Sequence, residues 1–183
     1  MKIRKRECKN LSTTQIMIVN SLLEIMKSDD YYKITISQIM DEAELARATF
    51  YNNYSSKDDV INSYIDELYL VFIEKAKETG QTTTYHMAFV YFEFWKQYKS
   101  FIELLQKHKL FHLILEKYEE KLPDINRIFV PNKFLKMEFK DEKEMEYSIY
   151  YSGAGLWNLL KHWVEAGTKE SSEDMARWYE RMN

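Results

Sequence analysis

Apolar residues recur at intervals of three and four along nearly all of the chain beyond residue 12, the period of helices that bury one face. A first helix is expected over residues 13–26, with Ile16, Val19, Leu22, Leu23 and Met26 on one side. Ser12 followed by Gln15 fits a capping box, in which the hydroxyl accepts from a free backbone N–H and the amide reaches back. Ser28, Asp29 and Asp30 compete for backbone hydrogen bonds and end the segment. Thr35 with Gln38 repeats the box before a short helix carrying Ile36, Ile39, Met40 and Ala43. A second short helix is expected over residues 47–54. A long helix then starts after Ser55 or Ser56, each with an aspartate three positions on, and carries Ile61, Tyr64, Ile65, Leu68 and Phe72 in one stripe. Gly80 is suited to close it, because glycine takes positive φ at a helix end.

The remainder reads as further helices over residues 84–98, 101–108, 109–122, 141–166 and 173–182. Pro123 and Pro131 bracket an irregular connection, Gly167 ends the fourth of these helices, and Ser171 and Ser172 stand in capping positions before the last. Only 4 Gly and 2 Pro occur in 183 residues, too few for a fold made of many turns. The fold class is therefore all-α. Formal charge is −3, so the chain is not globally basic. It has no run of about 18 apolar residues, so no membrane span is expected. Its N-terminal charges are not followed by the apolar run of a secretory signal, and the lone Cys8 has no internal partner. The expectation is a cytoplasmic protein without a cofactor. His108 and His112 stand four apart with Glu116 beyond, a metal-ligand spacing. Without an HExxH motif or clustered cysteines, two half-exposed histidines are the simpler reading. No nucleophile–base–acid set can be assembled, so an enzyme is not expected.

The two short helices, separated by a turn of about three residues, have the spacing of a helix-turn-helix, in which one helix supports another that lies in the DNA major groove. Ile36, Ile39, Ala43, Phe50 and Tyr54 are placed to lock the supporting helix to the reading helix. Arg47, Ala48, Thr49 and Asn52 then line its outer face. Arg47 suits guanine O6 and N7, Asn52 suits adenine N6 and N7, and the Thr49 methyl suits thymine. The runs Thr35-Ile36-Ser37-Gln38-Ile39-Met40-Asp41-Glu42-Ala43 and Arg47-Ala48-Thr49-Phe50-Tyr51-Asn52-Asn53-Tyr54-Ser55-Ser56-Lys57-Asp58-Asp59-Val60 closely resemble the DNA-binding region of the TetR family of bacterial regulators. That resemblance covers residues 10–60, and its most specific part is Thr49-Phe50-Tyr51, then Tyr54, then Lys57 with the acids after it. It implies phosphate contacts from Thr35, Tyr51, Asn53 and Lys57, and adds Ser37 to the DNA-binding set.

Two positions depart from the family pattern. Glu44 stands in the turn where the family usually has Gly, and Ala46 stands before the reading helix where it usually has Ser. A glutamate held at positive φ costs on the order of 1 kcal/mol, and a lost cap about 1 kcal/mol more. The N-terminal arm carries Lys2, Arg4, Lys5, Arg6 and Lys9 against Glu7. Arg4, Lys5 and Arg6 are expected to enter the minor groove or follow phosphates. Residues 1–60 hold nine basic and nine acidic side chains, so DNA binding has to come from where charge is placed rather than from its total.

The resemblance implies a division into residues 1–60, the DNA-binding domain, and residues 61–183, a helical ligand-binding and dimerisation domain, with the boundary inside the long helix. The stretches Phe92-Glu93-Phe94-Trp95-Lys96-Gln97-Tyr98 and Tyr150-Tyr151-Ser152-Gly153-Ala154-Gly155-Leu156-Trp157 look like the subgroup of that family containing an activator of dihydroxyacetone kinase genes. Phe89, Phe92, Trp95, Phe111, Tyr118, Tyr150 and Trp157 are candidates to line a pocket for an apolar or aromatic inducer. Gly153, Leu156, Leu160, Trp163, Val164, Met175 and Trp178 are candidates for a two-fold dimer bundle. The functional expectation is a homodimeric repressor on a palindromic operator of double-stranded DNA, released by a small molecule. The alternative is a protein-interaction coactivator of the same fold that does not read DNA, motivated by the balanced charge and by Glu44 and Ala46.

Overall fold

Helix starts fall where the sequence supplies a capping side chain. In the computed structural model, which describes residues 3, 8–79, 83–128 and 139–182, α1 (Thr13–Ile25) begins at a closed capping box. The Gln15 N–H donates to the Ser12 hydroxyl and the Ser12 N–H donates to the Gln15 side chain. A 3-10 turn (Tyr31–Lys33) follows, and α2 (Ile36–Glu42) repeats the box with Thr35 and Gln38. Next come α3 (Arg47–Tyr51) and α4 (Lys57–Thr79). Ser56 and Asp59 bond reciprocally at the start of α4. The rest is α5 (Thr84–Gln97), α6 (Lys99–Lys107), α7 (His112–Ile128), α8 (Glu142–Glu165) and α9 (Ser172–Met182). Thr83, Asp141 and Ser171 cap α5, α8 and α9. No strand occurs among the described residues, so the fold is all-α.

Three boundaries differ from the expectation. α3 stops at Tyr51 rather than 54, because Asn52 caps it and the Asn53 side-chain amide donates to the Thr49 carbonyl at 2.7 Å, closing the last turn. Pro123 lies inside α7 instead of ending it. A proline forfeits one backbone hydrogen bond, and burial of Leu122 and Ile125 on either side offsets that loss. His108 and His112 do not share a helix. His108 caps the end of α6, Lys109 turns back at φ 60°, and His112 opens α7. His108 is 6% exposed and His112 exposed, which corrects the reading of both as half-exposed. Gly80 and Pro131 lie outside the described residues.

α4 touches α1, α5 and α7 and supplies the spine of the core. Its Tyr69 is fully buried, meets Trp95 of α5 edge-on at 5.8 Å between ring centres, and donates its hydroxyl to the Ile114 carbonyl of α7 at 2.8 Å. Phe72 meets Tyr91 and Phe94. Trp163 of α8 is buried against Phe92 at 5.6 Å. α9 lies along α5, and its Tyr179 hydroxyl donates to the Ser152 carbonyl of α8.

α2, α6 and α8 end with left-handed residues. After α8 these are Gly167 (φ 84°) and Thr168 (φ 54°). After α2 the residue is Glu44, at φ 55°. There the Leu45 N–H reaches the Met40 carbonyl at 3.0 Å and the Glu44 N–H reaches Asp41 at 3.1 Å, the Schellman closure that glycine ordinarily serves. Glu44→Gly is therefore expected to stabilise the chain by about 1 kcal/mol, a rise of about 2–4 °C in thermal midpoint. Gly153→Ala is expected to act the opposite way. A Cβ there would stand 2.3 Å from the Tyr118 hydroxyl, and overpacking costs about 1–3 kcal/mol. Thermal melts of the two variants check both signs.

Candidate nucleic-acid interface

The reading helix is held by one apolar anchor. Phe50 is fully buried, with its ring 6.1 Å from that of Tyr54 and edge-on to Tyr51 at 5.6 Å. Ile39, Met40, Ala43 and Tyr54 are buried as well, and α2 packs on α3. Anchoring one side of so short a helix leaves the other side in solvent. Arg47, Ala48, Tyr51 and Asn52 are exposed, and Thr49 and Asn53 are half-buried. The Arg47 guanidinium lies 6.0 Å from the centre of the Tyr51 ring and 3.4 Å from its hydroxyl. These two side chains, one turn apart, present a cation and a phenol together.

Ala46 makes no side-chain cap, and the first turn of α3 closes through the Thr49 N–H on the Ala46 carbonyl at 2.9 Å. Thr35 and Ser37 are exposed at the start of α2. Thr35 accepts from the Gln38 N–H and donates to the Gln38 side chain, so its hydroxyl already serves the capping box.

Lys57 has a role that its sequence context did not reveal. Its ammonium donates to the carbonyls of Tyr31 at 2.8 Å and Ile34 at 2.6 Å, and stands 4.7 Å from the centre of the Tyr31 ring. Two of the three N–H donors of a lysine are thus committed to the backbone that leads into α2, leaving one for a phosphate. Burial pushes this ammonium below the ordinary lysine range, against the raising influence of Asp58 and Asp30. Tyr32 (65% exposed) and Lys33 adjoin this backbone and are open to solvent. Sequence reading passed over both, because a 3-10 turn has no helical period to follow.

The N-terminal arm returns to its own chain on both sides of its basic run. Ile3 is buried, and its N–H and C=O both bond the side-chain amide of Asn20 on α1, at 2.7 and 3.1 Å. Cys8 and Leu11 are buried, the Asn10 N–H donates to the buried Glu67 of α4, and Lys9 pairs with Glu74 at 2.8 Å. Arg4, Lys5 and Arg6 lie outside the described residues.

The C-terminal candidates divide differently from the expectation. Of the seven proposed pocket residues, Phe92, Trp95, Phe111 and Tyr118 are buried, Phe89 and Trp157 are half-buried, and Tyr150 is exposed. Phe111 meets Trp157 at 6.0 Å, whereas Tyr118 and Trp95 both meet Tyr69. Of the seven proposed dimer residues, Gly153, Leu156, Leu160, Trp163, Val164 and Met175 are buried within the single chain, and Trp178 is 39% exposed. The stripe on α8 thus belongs to the core of one chain. The side of α8 that faces solvent carries Tyr147, Tyr150 and Tyr151 instead. Both sides of the helix are aromatic, so periodicity alone did not tell them apart.

No protein-family model matches the chain. A curated relative, the HTH-type dhaKLM operon transcriptional activator DhaS of Lactococcus lactis subsp. lactis (strain IL1403), is 33% identical over 49 residues, which is 27% of this chain. The match spans about a quarter (26%) of that relative's length. Among solved structures, the dihydroxyacetone kinase operon activator DhaS superposes with a TM-score of 0.58 at 18% identity, covering 93% of each chain. The fatty acid degradation regulator FadR from Bacillus halodurans superposes with a TM-score of 0.66 at 15% identity, covering 94% of this chain and 95% of that one. Over nearly its whole length, this chain has the all-helical fold of these two regulators.

Proposed function

We propose that the chain is a TetR-like transcriptional regulator that reads double-stranded DNA with the outer face of α3. The observation that carries this reading is the exposed Arg47–Tyr51 pair, with Ala48 and Asn52 beside it, on a helix whose opposite side is fixed by the buried Phe50. A guanidinium matches guanine edges, a carboxamide matches adenine, and a phenol bonds phosphate oxygen. On this reading residues 1–60 form the DNA-binding domain and residues 61–183 bind an inducer and dimerise. Two copies place their reading helices about 34 Å apart on a palindromic operator. The regulator is a repressor. Its small-molecule inducer binds more tightly to a dimer whose reading helices are wrongly spaced, and that difference in affinity is what releases DNA. The exposed Tyr147, Tyr151 and Trp178 on α8 and α9 are the surface offered to the second copy. No helix among the described residues is long and apolar enough to cross a membrane, in keeping with a protein that acts on DNA in the cytoplasm.

A second reading, a coactivator that does not touch DNA, draws on the acids Asp41, Glu42 and Glu44, all exposed where α2 turns toward α3. Footprinting on the DNA upstream of the chain's own coding sequence separates the two. Protection at low salt supports the regulator, and its absence favours the coactivator.

On the protected site, Arg47→Ala is expected to relax preference at one base pair by about 1–3 kcal/mol. Tyr51→Ala is expected to weaken binding with an unchanged thermal midpoint, since Tyr51 is 54% exposed. Lys57→Met is expected to do more than remove a phosphate contact. It leaves the Tyr31 and Ile34 carbonyls without their donor, costing about 1–3 kcal/mol of stability, and it reduces the salt slope by about 1. Thermal melts paired with salt-dependent binding isotherms read out all three.

A further inference from the structure

We propose that His108 is a positioning residue for the DNA-reading helices, acting through a chain of hydrogen bonds that runs from the end of α6 to the start of α2. This rests on the DNA-binding reading above and identifies a residue outside the helix-turn-helix on which that binding depends.

His108 is buried, and both of its ring nitrogens are engaged. The Tyr31 N–H donates to Nδ1 at 3.3 Å, and Nε2 lies 2.7 Å from the Met26 carbonyl. Nδ1 must keep its lone pair to accept, so the ring is neutral with its proton on Nε2, which donates to Met26. The Met26 carbonyl is one of the α1 end groups that no residue of α1 itself can satisfy. The neighbouring Lys107 donates to the Lys27 carbonyl at 2.6 Å. Lys107 and the His108 cap at the end of α6 therefore complete the C-terminal end of α1.

The bonding continues from Tyr31. Its carbonyl accepts from Lys57, and its hydroxyl donates to Asp58. Lys57 also donates to Ile34, the residue before the Thr35 cap of α2. Each link is a direct hydrogen bond, and Tyr31 itself is 2% exposed. A displacement of the end of α6 thus reaches the backbone that sets where α2, and with it α3, stands.

Protonation of the ring would place a second N–H against the Tyr31 N–H, donor against donor. The neutral ring is the form that holds the connection.

The test uses the full chain and a fluorescein-labelled duplex carrying the footprinted upstream site. His108→Leu removes both bonds and is expected to weaken binding about tenfold, the worth of one such hydrogen bond. His108→Gln, whose amide both accepts and donates, is expected to restore affinity. Wild-type affinity in the Leu variant, or a folded Gln variant that binds as weakly as the Leu variant, overturns the proposal. If the Leu variant does not fold, the Gln variant decides alone: wild-type affinity supports the proposal, and a tenfold loss in the folded variant overturns it. If the wild type binds no duplex, the DNA-binding reading fails, and amide exchange still tests the connection. Faster exchange at Tyr31 and across α2 and α3 in the folded variant that lacks the His108 bonds supports it, and unchanged exchange overturns it.

Discussion

Short helices do not hold themselves in water, because too few of their backbone groups find partners within the helix. α2 has seven residues and α3 five. Everything that this part of the molecule presents to solvent depends on groups outside those helices completing them. Phe50 supplies the apolar fixing. The polar fixing comes from far along the chain, from Lys57 at the head of α4 and from Lys107 and His108 at the end of α6. α2 and α3 are therefore completed by α4 and by the end of α6.

That dependence explains what was legible in the sequence. The capping boxes at Ser12 and Thr35 and the glycine stop at 167 are local events, each settled within six residues and readable as a pattern of residue types. The anchored and exposed sides of α3 were readable for the same reason. The left-handed turn at Glu44 was legible only through the resemblance, which places glycine there. The fate of Pro123 was not, because a proline is tolerated in a helix when burial around it outweighs the missing bond, and burial is a property of the whole fold. His108 read as a half-exposed histidine. Its partners are carbonyl and amide groups about eighty residues away, which carry no residue-type signal. The α8 stripe was found correctly as apolar, but the identity of what covers it, the chain itself, is a matter of topology.

Electrostatics in the first sixty residues work by arrangement. The charges cancel in number, yet several acids are spent internally. Asp58 accepts from Tyr31, Asp59 holds the N–H groups of Ser55 and Ser56, and Asp30 holds the Tyr32 N–H. Arg47 stands in solvent with its fork of donors turned toward a phenol rather than a carboxylate. The acids consumed in capping and clasping are thereby held by partners of their own, while among the described residues Arg47 has no carboxylate in its fork.

All four tryptophans, at 95, 157, 163 and 178, lie beyond the middle of α4. Intrinsic indole emission thus reports only the C-terminal bundle, with Trp95 and Trp163 as its buried sensors, while the head contributes tyrosine alone. Far-ultraviolet dichroism counts helix from both parts. The separation between those two optical signals during denaturation is consequently a direct gauge of whether head and bundle come apart in sequence or as one cooperative body.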